Sequence, residues 1–219
     1  MAPLALGAEE SWQEALAKMP LNSKVVELNR TNCVDIMLGS FQESQTVKAL
    51  IFMPGATDEF YMFRRAKALI KREHASLLDA IGALTNQTLI RVSFRAPLLL
   101  LHTDEDPLEP IIHFEDEPTV NKLRRAIFSS HVIWNDRDWD YVQPILKKRF
   151  RFDVRPWRRS YDSWHFYRHS LAGWNLTGWE ILEAVALAGK TSFTVQKRHL
   201  LFEGDERVRA RPKVEDFPR

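Results

Sequence analysis

Apolar positions along the chain follow two different spacings, and these predict an alternation of strands and helices. The stretch Val47–Met53 is almost continuously apolar and is followed by Pro54 and Gly55, as expected of a strand that is buried on both faces. Shorter apolar or alternating stretches predict further strands at residues 24–28, 88–94, 98–102, 131–134, 150–154, 192–196 and 199–203.

Helices are predicted where apolar residues recur every three or four positions. Thr31 and Ser76 have side chains that cap helix N-termini, and each precedes such a stretch. The predicted helices cover residues 11–18, 31–41, 60–70, 76–86, 119–127, 138–148 and 177–188. Strands that alternate with helices and include hairpin-like pairs predict the α/β class, a layered fold in which helices flank a mixed β-sheet.

No linker rich in glycine and serine divides the chain, so its organisation is predicted from the elements and from charge. Residues 1–10 are interpreted as a signal remnant or a disordered N-terminus, and residues 11–155 as the main α/β region. Residues 156–204 form a C-terminal helix-plus-hairpin region, which is either a small module or part of the same domain. Residues 205–219 are polar and charged and are predicted to form a loose tail.

Composition narrows the classes of function. The chain has 219 residues, with 31 Lys and Arg against 29 Asp and Glu and a net charge of +2. This balance gives no overall positive field, so a nucleic-acid partner is not predicted. No apolar run approaches the ~20 residues of a transmembrane helix. The single cysteine, Cys33, excludes an internal disulfide and a cysteine-based zinc site, and neither a cofactor nor a metal is predicted.

Charge is nevertheless uneven along the chain. Seven acidic residues lie between Asp104 and Glu117 with no Lys or Arg among them, and seven basic residues lie between Lys147 and Arg159 with only Asp153 among them. Two explanations stay open for these blocks. They are solvated faces that could face each other within the fold, or they contact a charged partner.

The first eight residues (MAPLALGA) are apolar and end in a small residue, as the last part of a secretory signal does. A basic segment, which normally begins such a signal, is missing. We therefore predict a periplasmic or secreted location, with the cytoplasm as the alternative.

Two stretches of the sequence are similar to each other. Leu77–Ile81 matches Ile181–Val185, and each stretch is followed by a polar turn and two apolar strands that run into acidic residues. The similarity predicts two helix–strand–strand units, each with its helix packed on a sheet. The second unit, over residues 174–203, resembles the short N-terminal domain of secretin and TonB envelope proteins. That resemblance implies periplasmic contacts through sheet edges, and it implies no catalytic residues.

A different resemblance lies in the middle of the chain. The apolar strand at residues 98–101 runs into a loop with Asp106 before Pro107, and it resembles the α/β-hydrolase strand that delivers the triad acid. His165 lies downstream, as the triad histidine does. The resemblance implies ester hydrolysis that uses Asp106 and His165. The chain has no Gly-x-Ser-x-Gly motif, so the nucleophile of that family is missing.

Asp162 and His165 form an Asp-x-x-His sequence that resembles the last motif of the SGNH hydrolases, in which the acid orients a histidine base. The Gly-Asp-Ser motif of those enzymes is absent. Two other interpretations of the segment stay open, a metal site that adds His169, or histidines that make ordinary hydrogen bonds in an aromatic segment.

Together these patterns predict a non-catalytic cell-envelope protein that mediates protein–protein contacts, with a protein as its partner. The alternative is an α/β-hydrolase-like esterase, or a relative that has lost its activity, using Asp106 or Asp162 with His165. For His165 we expect one of these two carboxylates nearby and no serine or cysteine within hydrogen-bond reach.

Overall fold

Two mixed β-sheets and six helices account for most of the described chain. The computed structural model describes residues 10–22, 27–29, 31–53, 67–70, 72–103, 112–156, 168–197 and 199–204. The helices are α1 (Trp12–Ala17), α2 (Cys33–Ser40), α3 (Leu77–Gln87), α4 (Glu117–Arg125), α5 (Trp139–Phe150) and α6 (Gly178–Gly189). The strands are β1 (Glu27–Leu28), β2 (Ala49–Phe52), β3 (Ala68–Leu69), β4 (Arg91–Arg95), β5 (Leu98–His102), β6 (Ile112–Phe114), β7 (Ile127–Arg137), β8 (Asp153–Pro156), β9 (His169–Thr177), β10 (Thr191–Gln196) and β11 (His199–Gly204).

The larger sheet has five strands in the order β4-β5-β2-β9-β7. Strand β2 is parallel to β5 and antiparallel to β9, while β4 and β7 pair antiparallel with β5 and β9. All residues of β2 and β5 are buried, since one face of each strand packs on α1–α3 and the other on α6. This two-sided burial explains the continuous apolar stretch at Val47–Met53 and confirms the strand predicted there.

The smaller sheet has four strands in the order β6-β10-β11-β8, and α6 lies between the two sheets. Nine of the twelve residues of α6 are buried, because both sheets cover the helix together with α4 and α5. A helix that is apolar on nearly every side requires such surroundings. The layers are therefore α1–α3, the five-stranded sheet, α6 with its neighbours, and the four-stranded sheet. The predicted class, a layered α/β fold with mixed sheets flanked by helices, is confirmed.

Several element boundaries differ from the sequence-based predictions. The end of the helix predicted at 60–70 is the short strand β3, which pairs antiparallel with β1; residues 54–66 lie outside the described part. The strand predicted at 131–134 belongs to the eleven-residue β7, and α5 continues to Phe150, where Arg151 in a left-handed conformation ends it. Strand β9 was not predicted. It lies between β2 and β7, so the two predicted regions 11–155 and 156–204 share one sheet.

The predicted helix–strand–strand repeat is present, as α3–β4–β5 and α6–β10–β11. Both helices begin with a capping box, Ser76 with Asp79 in α3 and Thr177 with Glu180 in α6. The two hairpins also have the same register, since Arg91 opposes His102 and Ser192, 101 positions later, opposes Glu203. The structure therefore aligns Asp79 with Glu180. The sequence match, which pairs Asp79 with Glu183, is wrong by about one helical turn.

The repetition extends beyond these units to the two halves of the chain. The first half runs α1, β1, α2, β2, β3, α3, β4, β5, and the second runs α4, β7, α5, β8, β9, α6, β10, β11. Three strand pairings recur: β1–β3 and β7–β9 antiparallel, β2–β5 and β8–β11 parallel, β4–β5 and β10–β11 antiparallel. Leu77 N donates to Met19 O and Gly178 N to Ala126 O, each at 2.8 Å. Apart from β6, which precedes α4 and has no described counterpart in the first half, the two halves thus have the same order of elements and the same pairings.

Candidate functional site

The three residues predicted from the sequence as catalytic candidates, Asp106, Asp162 and His165, lie outside the described residues. The expected carboxylate near His165 stays a prediction for the same reason. His169, proposed as a metal ligand beside them, is described and is 1% exposed. Its Nδ1 lies 3.1 Å from Arg137 O, and burial lowers its pKa to about 4. Among the described residues no group of three His, Cys, Asp or Glu side chains could hold a metal ion.

Cys33 is not suited to act as a nucleophile. The thiol is buried in α2, with Met37 Sδ 3.8 Å from its Sγ. Burial raises the pKa of Cys33 to about 12, so the thiolate is scarce at neutral pH. Cys33 is therefore part of the core that α1–α3 form against the larger sheet.

One hydroxyl–imidazole pair occurs in the larger sheet. Ser93 Oγ lies 2.8 Å from His102 Nε2 across the β4–β5 ladder. His102 is buried and Ser93 is half-buried. Ser93 sits within a strand and not at a strand-to-helix turn, so it departs from the hydrolase pattern. A motif of glycine-flanked serines does not reveal this hydroxyl, because its contact with His102 depends on strand register.

Glu183 has a perturbed pKa within α6. Burial raises its pKa, while the hydrogen bond from Trp179 Nε1 at 2.9 Å opposes that shift. The guanidinium of Arg124 on α4 lies 5.0 Å from the ring centroid of Trp179. Glu183 thus accepts a hydrogen bond from the indole of Trp179 while Arg124 lies over its ring, and these contacts link α4 to α6.

A basic surface forms where the C-terminal ends of α4 and α5 meet. The last turn of α4 carries Lys122 and Arg125, and the end of α5 carries Arg149 and Arg151. Cations stabilise a helix C-terminus through its dipole, so the sequence pattern suits the local structure. Arg149 Nη2 donates to Ile127 O at 3.4 Å, which joins the two helix ends.

Between these helix ends lies a cavity of about 280 Å³. Three cations and six apolar residues line it, and we call it the basic groove: Lys122, Leu123, Ala126, Ile127, Phe128, Arg149, Phe150, Arg151 and Phe152. The rings of Phe150 and Phe152 are stacked with centroids 6.2 Å apart, and Ile127 is 51% exposed. A second cavity of about 430 Å³, which includes Arg125, shares Lys122 with the groove. The basic surface therefore continues around α4.

The base of the basic groove is tightly packed. A Cβ at Gly178, the first residue of α6, would lie 2.9 Å from Phe150 Cε1 and 3.1 Å from Leu123 O. Only a glycine permits this approach, so the ends of α4 and α5 are held against the start of α6. A groove built on such contacts is preformed, which lowers the entropy cost of binding.

The electrostatics of the basic groove are one-sided. Among the described residues, no Asp or Glu lines either cavity and no carboxylate pairs with the cations of the groove. Asp153 instead pairs with Lys147 at 3.5 Å and with Arg155, both outside the groove. The described acidic residues 115–117 lie at the opposite end of α4, and no described ion pair joins them to the basic block. The contribution of α4 was not predicted, because it depends on where two helices end in space.

Comparisons of the chain with models of known protein families, with curated proteins and with solved structures find no match. No helix within the described residues is long and apolar enough to span a membrane.

Proposed function

We propose that this chain is a non-catalytic protein-binding module, and that its basic groove binds an acidic segment of a partner protein. The observation that carries the proposal is the convergence of four cations, Lys122, Arg125, Arg149 and Arg151, with no described carboxylate beside them. Charge complementarity of this kind selects acidic partners and speeds their association.

The apolar surface within the groove adds a second requirement on the partner. Phe150 and Phe152 line the cavity, and the exposed side chain of Ile127 lies at its rim. Because a cavity of about 150 Å³ can hold a benzene-sized group, the basic groove has room for one aromatic or branched aliphatic side chain. The partner segment that fits best therefore has acidic residues around a single large apolar residue.

A location in the cell envelope belongs to the same proposal. Its support is the apolar sequence of residues 1–8, which lie outside the described residues. Cell fractionation tests this location. Recovery of the full chain in the cytoplasmic fraction would contradict the envelope location and would leave the binding proposal untouched.

Charge reversal in the groove should weaken binding of an acidic peptide about tenfold or more. The variant is Arg149→Glu with Arg151→Glu, and the probe is a fluorescein-labelled peptide of Glu and Asp residues around a central Phe. Fluorescence anisotropy measures binding to the full chain at low salt. The matched control is Lys18→Glu with Lys67→Glu, which makes the same change of charge at exposed sites of the first half.

Two further probes decide what the basic groove recognises. The same peptide with Ala in place of Phe should bind more weakly, because the apolar contact is lost. The proposal would be contradicted if the control variant lost as much affinity as the groove variant, or if the peptide did not bind at millimolar concentration. If a single-stranded DNA oligomer bound at least as tightly as the peptide, the groove would be a nucleic-acid site and not a protein-binding site.

Ester hydrolysis is a second candidate function, and the hydrogen bond between Ser93 and His102 favours it. If this pair is active, turnover of a small activated ester should fall by at least a hundredfold in Ser93→Ala. His165→Ala tests the separate sequence-based hypothesis with Asp106 or Asp162. Background turnover that is unchanged in both variants supports the binding module.

A further inference from the structure

The two sheets end in four edge strands within the described part of the chain, and three of these carry features that prevent pairing. Strand β4 has Arg91 and Arg95 at its ends, and β6 is only three residues long. In β8, charged residues flank Val154, and Gln143 Nε2 on α5 donates to Val154 O at 2.6 Å. Charges, short length and a capped carbonyl all oppose the addition of another strand.

Strand β7 is different. It is the longest described strand, with eleven residues, and it contains no Asp, Glu, Lys or Arg from Ile127 to Asn135. Its two register shifts lie near its ends, between Ile127 and Ser129 and between Trp134 and Arg137, so the strand is regular in between. The side chain of Ile133 is 43% exposed. A long, uncharged edge strand with exposed apolar side chains is a site for strand pairing.

The register of β9 shows which backbone groups of β7 point outward. Trp174 N donates to Lys48 O, so the backbone of Trp174 points toward β2, and that of the preceding residue, Gly173, points toward β7. Gly173 opposes Val132, which places the N–H and C=O of His131 and Ile133 on the outer edge. The hydroxyl of Ser129 accepts a hydrogen bond from the N–H of His131 at 3.3 Å and donates one to its C=O at 2.7 Å. The outward groups of Ile133 are therefore the ones available to another strand.

We propose that β7 pairs antiparallel with β7 of a second copy of this chain, so that the two five-stranded sheets become one continuous sheet. A two-fold axis brings the same segment of each copy together. Because Ile127–Asn135 contains no Asp, Glu, Lys or Arg, this pairing brings none of these charges of like sign together. The same pairing of β4 would bring Arg91 of one copy opposite Arg95 of the other, which is unfavourable.

A second copy fits the edge better than a flexible peptide does. Its β7 is already extended and held by β9, so pairing costs little conformational entropy, whereas a disordered segment must be ordered as it binds. The two paired strands are also equal in length, because they are the same strand in two copies. The edge of β7 is therefore assigned to a homodimer, independently of the basic groove.

Analytical ultracentrifugation of the full chain from about 1 to 100 µM tests this interface. The chain has a mass of 25.6 kDa, and the expected result is a concentration-dependent shift to twice that mass. Ile133→Lys should return the mass to that of one chain, because two lysines would then meet at the pair. Leu89→Lys is the matched control, since Leu89 is 72% exposed just before β4 and away from β7. It should leave the dimer intact.

Hydrogen exchange at the Ile133 amide gives a second measurement on the unmodified chain. Exchange should be slow at 100 µM and fast at 1 µM, because pairing protects the outward amide. A single-chain mass at all concentrations, a dimer that persists in Ile133→Lys, or exchange at Ile133 that does not depend on concentration would each overturn the proposal. Failure of peptide binding at the basic groove would leave the dimer unaffected, since Ile133, at the centre of the pairing, does not line the groove, which reaches β7 only at its first residues.

Discussion

Replacing Phe202 by alanine should lower the free energy of unfolding by about 3–5 kcal/mol. Phe202 on β11 is fully buried, with ring centroids 5.0 Å from Trp139 and 5.7 Å from Phe193. These rings fill the core between α5 and the smaller sheet, so the substitution leaves a cavity that its neighbours cannot close. Denaturant unfolding followed by circular dichroism measures the effect.

Phe114→Ala is the matched control for that measurement. Phe114 is on β6 of the same sheet, but it is 54% exposed. The same deletion of atoms should cost well under 1 kcal/mol there. Equal losses in the two variants would mean that the core between α5 and the smaller sheet is not packed as described.

Acidification should destabilise the fold through His169. Burial holds the pKa of this imidazole at about 4, against about 6.5 in the unfolded chain. Between these values the unfolded chain binds a proton that the folded chain excludes. The stability contributed by neutral His169 is therefore complete above pH 6.5, and it falls by about 1.4 kcal/mol per pH unit toward pH 4.

His169→Asn isolates this contribution from that of the carboxyl groups, which also titrate in acid. The Asn side chain can donate to Arg137 O as Nδ1 does, but it has no proton to gain. Unfolding measured from pH 7.5 to 4.5 should show a smaller pH dependence in this variant, whereas His113→Asn at an exposed position should match the unchanged chain. Identical slopes for all three proteins would refute the assignment to His169.

The surroundings of His169 explain why its charged form is excluded. A Cβ at Gly189, the last residue of α6, would lie 2.8 Å from His169 Nε2, so the ring sits directly against the helix end. No described group accepts a hydrogen bond from that nitrogen. A second proton on the ring would therefore be buried without an acceptor, which is costly.

Elements with strong local signals were predicted well from the sequence. The limits of β5 agree with the prediction at 98–102. The apolar run begins directly after Pro97, and its consecutive apolar residues do not show the three-to-four-residue spacing of a helix. The start of α3 after Ser76 also agrees, since the capping box is formed by neighbouring residues. In both places the physical cause lies within a few residues of the element itself.

Strand β9 and the basic groove could not be predicted in this way. The sequence of β9 is irregular, because its residues are selected by contacts with β2 and β7 on either side. The basic block of residues 147–159 was visible, but its meeting with Lys122 and Arg125 depends on how α4 and α5 pack. The sequence predicted only the repeated helix–strand–strand units and not the equivalence of the whole halves. The two halves share strand pairings, whereas few of their side chains are identical.

The position of β9 constrains the order in which the chain can fold during its synthesis. Strand β2, which is buried on every residue, pairs with β9, more than a hundred residues later. Until residues 170–173 have left the ribosome, the edge of β2 that pairs with β9 has no partner strand. The first half thus emerges with an aggregation-prone edge, although it contains all the elements of a complete topological unit. Chaperone demand should accordingly peak while the second half is being translated.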